Sequence, residues 1–106
     1  MRKGKVFNRN IFCGNIFQDE EGYGFSYDSD YLKNKHAEPV SLTLPLTDVT
    51  YRSKTMIPFF DGLIPEGWLL SIAEKNWKLN ANDRMGLLLA VCKDCIGTIH
   101  IEPINE

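Results

Sequence analysis

Two cysteines separated by two residues form the most reactive pattern in this chain of 106 residues. The segment CKDC, residues 92–95, has the spacing of a redox-active pair, in which a thiol at a helix N-terminus is activated. Helical spacing upstream instead places Cys92 and Cys95 at a predicted helix C-terminus, where the dipole disfavours a thiolate. We interpret both as packing or incidental thiols, and keep a small thiol-dependent enzyme as an alternative function.

Histidine and carboxylate side chains form no recognisable catalytic or metal-binding pattern. Structural zinc sites are four-coordinate, and beyond the cysteine pair the candidate ligands are Cys13, His36 and His100, which lack paired-ligand spacing. Neither histidine accompanies a nucleophile and a carboxylate in a triad pattern. Glu66 could act as a general acid or base, but a single carboxylate near a helix start is usually solvated and favoured by the dipole. We therefore predict no catalytic residue, no metal site and no cofactor.

Charge, hydropathy and cysteine content exclude several classes of protein. The formal net charge of −2 argues against a phosphate-binding surface, which needs clustered lysine and arginine. No stretch approaches the roughly 18 apolar residues that span a bilayer. Three cysteines are an odd number without the spacing of a secreted disulfide framework. We expect one domain over residues 1–106, located in the cytoplasm, with no direct contact to nucleic acid or membrane.

The first half of the chain is rich in short strand patterns. Three are predicted at Lys5–Phe7, Ile11–Phe17 and Tyr23–Tyr27, where β-branched and aromatic residues concentrate. The polar connections between them are short enough for antiparallel hairpins. Ser41–Leu46 alternates polar and apolar residues and predicts a further half-buried strand, whereas Asp48–Thr55 has no periodic signal and is predicted to be a surface loop.

Helical signals dominate the second half of the chain, although one already occurs in the first half, where Asp28 and its neighbours could turn the chain or cap a short helix around Tyr31. Pro58 could open a helical turn, and Pro65 could occupy the first turn of a second helix. Asn80 followed by Asp83 resembles a capping box for a third helix, in which four apolar residues recur at helical spacing: Met85, Leu88, Leu89 and Cys92.

A final strand pattern places Ile99 and Ile101 on one face. Strands first, helices next and one strand last indicate an α+β domain. We expect an N-terminal antiparallel β-meander forming a small sheet or partial barrel, closed by a C-terminal strand, with two to three helices in the second half.

The segment FFDGLIPEGWLL, residues 59–70, is the best candidate for a binding site. Its periodicity assigns Phe59, Phe60, Leu63 and Leu69 mainly to packing. Trp68 lies about a quarter-turn from the apolar stripe, so it either covers the rim of the core or anchors a partner, as tryptophan often does in binding hot spots. The predicted partner-binding surface consists of Pro65, Glu66, Gly67, Trp68, Ser71 and Lys75.

Three segments, FFDGLIPEGWLL, Asp83 followed by GLLLAV, and KDCIGTIHIEP, resemble the N-terminal domain of HipA-type serine/threonine kinases of bacterial toxin–antitoxin systems. That family shows an F-F-x-x-L-L-P-E-G segment, then D-x-x-x-L-L, then a closing D-C-x-G-A. The resemblance covers about residues 4–104. Cys92 stands where glycine is common in the family, and Thr98 stands where alanine is usual.

The resemblance implies a role beside a kinase. HipA-type proteins continue into a kinase domain, whereas this chain stops at Glu106 and carries no nucleotide loop or catalytic loop. With Met1 at its start, we expect a natural small protein. The resemblance implies an antitoxin-like subunit that binds and inhibits a separately encoded HipA-type kinase, with a helix-turn-helix DNA-binding protein as a further member of the complex. The alternative is a structural subunit that completes the kinase without inhibiting it.

Overall fold

The computed structural model describes residues 2–64, 83–91 and 98–104 of the chain. The elements in chain order are β1 Arg2–Asn8, β2 Ile11–Asp19, β3 Gly22–Tyr27, α1 Ser29–Lys33, β4 Tyr51–Ser53, α2 Pro58–Asp61, α3 Arg84–Val91 and β5 Ile99–Ile104. The five strands form one antiparallel sheet in the order β4-β3-β2-β1-β5, accompanied by the three short helices. The α+β prediction is confirmed as a small open sheet, in which the C-terminal strand joins β1 at one edge and closes no barrel.

The meander of β1, β2 and β3 follows the predicted strands and extends them at their ends. The turn between β1 and β2 holds Arg9 and Asn10 at φ values of 53° and 67°. Positive φ at both central residues matches the right-handed twist of a two-residue hairpin. Asn10 tolerates this conformation better than Arg9, since asparagine visits the left-handed region more readily than other non-glycine residues.

One face of the sheet carries the hydrophobic core, because side chains alternate between faces along each strand. Val6, Ile16, Phe25 and Ile101 are fully buried on this face. The helices pack there as well, and the ring of Phe60 in α2 lies 5.0 Å from that of Phe25. The α3 residues in this core are Met85, Leu87 and Leu88.

The prediction of a strand at Ser41–Leu46 is wrong. This segment forms only an isolated bridge between Ser41 and Leu44, while the true edge strand is β4, inside the predicted loop 48–55. The hydroxyl of Ser41 accepts a hydrogen bond from the Thr43 N–H at 3.2 Å. Such local bonds compete with a strand ladder, whereas Tyr51 pairs with Phe25 and thereby extends the meander.

Helix starts agree with the sequence in two cases and differ in one. Asp28 caps α1, since its carboxylate accepts from the Tyr31 N–H, and Pro58 is the first residue of α2. The predicted capping box is wrong for Asp83, because α3 begins at the next residue and Asp83 itself caps it, accepting from the Gly86 N–H at 3.2 Å. Asn80 and the predicted helix at Pro65 lie outside the described residues.

Over the described ranges, none of the helices is long and apolar enough to cross a bilayer.

Candidate functional site

The segment FFDGLIPEGWLL is described only as far as Ile64. Phe60 is fully buried, while Phe59 and Leu63 are half-buried against the core, which confirms that these residues serve packing. The predicted partner-binding residues lie outside the described ranges, as do Leu69, Cys92 and Cys95; the partner-binding set is Pro65, Glu66, Gly67, Trp68, Ser71 and Lys75.

An ion pair holds the part of this segment that precedes Pro65. The Arg84 Nε donates to Asp61 Oδ1 at 2.6 Å, which ties the end of α2 to the start of α3. The Arg84 side chain is partly buried at this contact. The Gly62 N–H also donates to the Pro58 carbonyl at 2.9 Å. These contacts hold the end of α2 next to the start of α3.

Of the reactive side chains that the sequence singled out, Cys13, His36 and His100 lie within the described ranges. Burial raises the pKa of the Cys13 thiol to about 12, and its Sγ donates to the Val6 carbonyl at 3.4 Å. The ring of His100 stacks on Phe7 with 4.6 Å between centroids, as expected of a residue on a sheet face, and His36 is exposed. Over residues 2–64, 83–91 and 98–104, the acidic, cysteine and histidine side chains form no group that could hold a metal ion.

A surface patch that sequence reasoning missed lies in the loop of residues 41–50, here called the apolar loop. Leu42 is 95% exposed, Val49 66% and Leu46 37%, whereas Leu44 is buried. The alternating pattern had placed Leu42 and Leu46 with Leu44 on one strand face. The hydroxyl side chains of Ser41 and Thr43 could have indicated a turn in place of a strand, since such side chains favour turns.

Two tyrosine hydroxyls anchor the apolar loop to the sheet. Tyr27 of β3 donates to the Leu44 carbonyl and accepts from the Val40 N–H at 3.1 Å. Tyr51 of β4 donates to the Pro45 carbonyl at 2.6 Å. Burial raises the pKa of Tyr27 to about 12, so its hydroxyl keeps the proton that it donates. The loop backbone is thus held while the side chains of Leu42, Leu46 and Val49 are exposed.

The open sheet, the helices packed on one face and the anchored loop define a small α+β domain. The HipA N-terminal domain family matches residues 4–102, and the chain belongs to this family. A protein of Haemophilus influenzae described as uncharacterized is 32% identical over 102 residues, covering 96% of this chain and 92% of that protein. A solved structure described as the N-terminal domain of HipA toxin matches with a TM-score of 0.75 and 30% identity, over 100% of this chain and 95% of that one. The resemblance drawn from the sequence is confirmed.

The motifs that carried the resemblance have structural roles where the structure describes them. In the D-x-x-x-L-L motif, Asp83 caps α3, and Leu87 and Leu88 are core residues. In the F-F-x-x-L-L segment, Phe60 fills the core against Phe25. These motifs identify the fold because their residues cap its helix and fill its core.

Proposed function

We propose that the chain is a non-catalytic subunit that binds a separately encoded HipA-type serine/threonine kinase and inhibits it. The observation that supports this proposal is the match of residues 4–102 to the HipA N-terminal domain, which is distinct from the kinase catalytic domain. The Haemophilus influenzae relative supports it further, since the match spans 92% of that protein. The odd number of cysteines favours a reducing cytoplasm as the place of action.

The physical basis of the proposal is a domain interface formed between two chains. The matched structure is by its description one domain of a toxin, and domains of one protein meet across surfaces that resemble protein–protein interfaces. A separate chain with the same fold would use the corresponding surface to bind its kinase. A helix-turn-helix DNA-binding protein would be the third member of this toxin–antitoxin complex.

The proposed contact is the surface predicted around Trp68. Tryptophan offers a large contact area at low entropic cost, and Gly67 allows close approach of another backbone. The ion pair between Asp61 and Arg84 and the buried Phe60 hold the preceding residues, which limits the ordering cost of binding. The full proposed set is Pro65, Glu66, Gly67, Trp68, Ser71 and Lys75.

The test combines binding and activity. Calorimetry with the purified HipA-type kinase should give a defined complex, and adding the chain should lower the consumption of ATP by that kinase. Trp68→Ala should weaken binding by about tenfold or more while the thermal unfolding midpoint stays unchanged, and Trp68→Phe should retain part of the affinity. A complex without any loss of kinase activity would favour the structural subunit instead, and no complex at all would overturn the proposal. A large fall in the unfolding midpoint of Trp68→Ala would assign Trp68 to the core.

A further inference from the structure

We propose that a polar cavity between the β1–β2 turn and the end of α1 binds a small phosphate ester that carries a hydroxyl group. The cavity has a volume of about 550 Å³, within the range of small-ligand sites. None of its described lining residues belongs to the surface predicted around Trp68, and the proposal does not depend on binding to a kinase. The lining includes Asn8, Arg9, Tyr31, Lys35, His36 and Glu38.

The buried part of the polar cavity contains an asparagine whose orientation is fixed. Asn8 is 7% exposed, and its Nδ2 donates to the Tyr31 hydroxyl at 3.4 Å. The Tyr31 hydroxyl donates its proton to the Glu38 carbonyl at 2.6 Å and accepts from the Glu38 N–H at 3.1 Å. Because that proton is already used, Asn8 must donate to Tyr31, which turns the Asn8 carbonyl oxygen away from the hydroxyl.

The Asn8 carbonyl oxygen, Oδ1, is an acceptor that the described part of the chain leaves unused. It receives no hydrogen bond from the residues that the structure describes. Among these residues, every side-chain oxygen or nitrogen that is shielded from solvent has a partner, so Oδ1 is open to the cavity. Buried polar groups are nearly always hydrogen-bonded, so this oxygen takes a partner from outside the chain. A ligand hydroxyl supplies the O–H that it requires.

The exposed rim of the polar cavity carries positive charge. Arg9, Lys35 and His36 are exposed there, and Glu38 is the one carboxylate among the described lining residues. Arg9 is held only loosely, since its Nη2 lies 3.6 Å from Glu38 Oε2, beyond hydrogen-bond distance, and both side chains are more than half exposed. A phosphate group offers three strong acceptor oxygens to such a rim. One phosphate needs only a few cations, unlike the extended surface that nucleic acid requires.

The two parts of the polar cavity together select one ligand chemistry. A cationic rim and a neutral interior with a free acceptor fit a molecule that has a phosphate at one end and a hydroxyl at the other. Ile11 and Ala37 also line the cavity and offer apolar contact to the carbon atoms that join these groups. Glycerol 3-phosphate has this arrangement and is the probe for the test.

The test measures ligand binding by NMR titration of the full chain. Glycerol 3-phosphate should shift the side-chain amide resonances of Asn8 and the backbone resonances of residues 34–38, saturably, with a Kd of about 1 mM or tighter. Propyl phosphate has the same charge but no hydroxyl, and should bind about two- to tenfold more weakly, the effect of one hydrogen bond. Glycerol lacks the phosphate and should not reach saturation.

Variants assign the two contacts to their residues. Lys35→Gln removes a rim charge and should weaken binding of glycerol 3-phosphate by about two- to fivefold. The matched control Lys54→Gln removes an exposed charge that does not line the cavity, and should bind as the wild type does. Asn8→Ala should bind glycerol 3-phosphate and propyl phosphate equally, because the group that distinguishes them is gone. If thermal unfolding shows that Asn8→Ala is not folded, the comparison of the two ligands on the wild type still tests the contact.

Three results would overturn the proposal. The first is the absence of a saturable shift with glycerol 3-phosphate. The second is equal affinity of the wild type for glycerol 3-phosphate and propyl phosphate, because Asn8 Oδ1 would then make no contact with the ligand. The third is an equal shift of the same resonances by sulfate, which would mean an adventitious ion only. None of these results bears on kinase binding, which is measured separately.

Discussion

Arg2 holds Asp83 with two parallel hydrogen bonds, from Nη1 to Oδ2 at 2.8 Å and from Nη2 to Oδ1 at 2.7 Å. The same carboxylate caps α3 through the Gly86 N–H. One side chain therefore joins the first strand to the helix that supplies Met85, Leu87 and Leu88 to the core. The aspartate of the D-x-x-x-L-L motif thus caps a helix and pairs with a strand; the sequence placed it near a helix start, in a capping box with Asn80, and did not indicate the pairing with Arg2.

Substitution of Asp83 should separate these two tasks. Asp83→Ala removes the cap and the ion pair, and should lower the free energy of unfolding by about 1–2 kcal/mol. Asp83→Asn keeps a good capping residue and loses only the charge, so we expect a loss of about 1 kcal/mol or less. Urea denaturation at neutral pH measures both. Equal losses in the two variants would mean that the cap contributes nothing.

The pH dependence of stability should follow the carboxylates paired with arginine. Hydrogen bonds from Arg2 lower the pKa of Asp83, and those from Arg52 lower the pKa of Asp19. A lowered folded pKa means that the stabilisation is complete above the unfolded pKa of about 3.9 and is lost as the pH falls through the lower folded value.

Urea midpoints measured from pH 7 down to pH 2.5 should therefore decline most steeply below about pH 4. The Asp83→Asn variant should show a shallower decline, because one of the titrating groups is gone. A decline as steep as that of the wild type would show that the pairing with Arg2 does not stabilise the folded chain.

Two glycines should respond oppositely to alanine. A Cβ at Gly14 would collide with the backbone carbonyl oxygen of Ser26 and press on the Phe25 ring at 3.0 Å. We expect Gly14→Ala to destabilise the fold by about 1–3 kcal/mol. Gly62 is the control, since it has right-handed helical backbone angles and a Cβ there would make only ordinary contacts at 3.4 and 3.5 Å. Gly62→Ala should be neutral or stabilising by up to about 1 kcal/mol in thermal unfolding.

Cys13 should be chemically inert in the folded chain. Its thiol is fully buried, and burial raises its pKa to about 12, so almost no thiolate forms at pH 8. Iodoacetamide at that pH should leave the Cys13 peptide unmodified in native protein and alkylate it in urea, as measured by mass spectrometry. Rapid alkylation of the native protein would contradict the packed environment between β1 and β2.

The meander and the closing strand were predictable because their signals are local. The concentration of β-branched and aromatic residues along Ile11–Phe17 and Tyr23–Tyr27 is a local signal. Ile99 and Ile101 lie on the core face, as a period of two requires. The cap at Asp28 and the helix start at Pro58 depend on side chains within one turn. The family resemblance was visible for the same reason, since its described motifs are caps and core residues.

The candidate site and the exposed surface were only partly predictable. The sequence indicated the surface around Trp68, which stays a prediction, and it missed the apolar loop. Leu42, Leu44 and Leu46 look equivalent in an alternating pattern, but only Leu44 is buried. Their difference comes from the hydroxyls of Tyr27 and Tyr51, which reach the loop from other strands.

By itself, the sequence determined the α+β class, the antiparallel meander, the core helix and the family, because periodicity, caps and motifs act between near neighbours. Only the tertiary structure decided which segment forms the edge strand. Tyr51–Ser53 pairs with β3, whereas in Ser41–Leu46 the Thr43 N–H bonds to the nearby Ser41 hydroxyl. It also decided the pairing of Arg2 with Asp83, 81 positions apart. Such contacts depend on where the whole chain brings its strands and helices together, which no local pattern encodes.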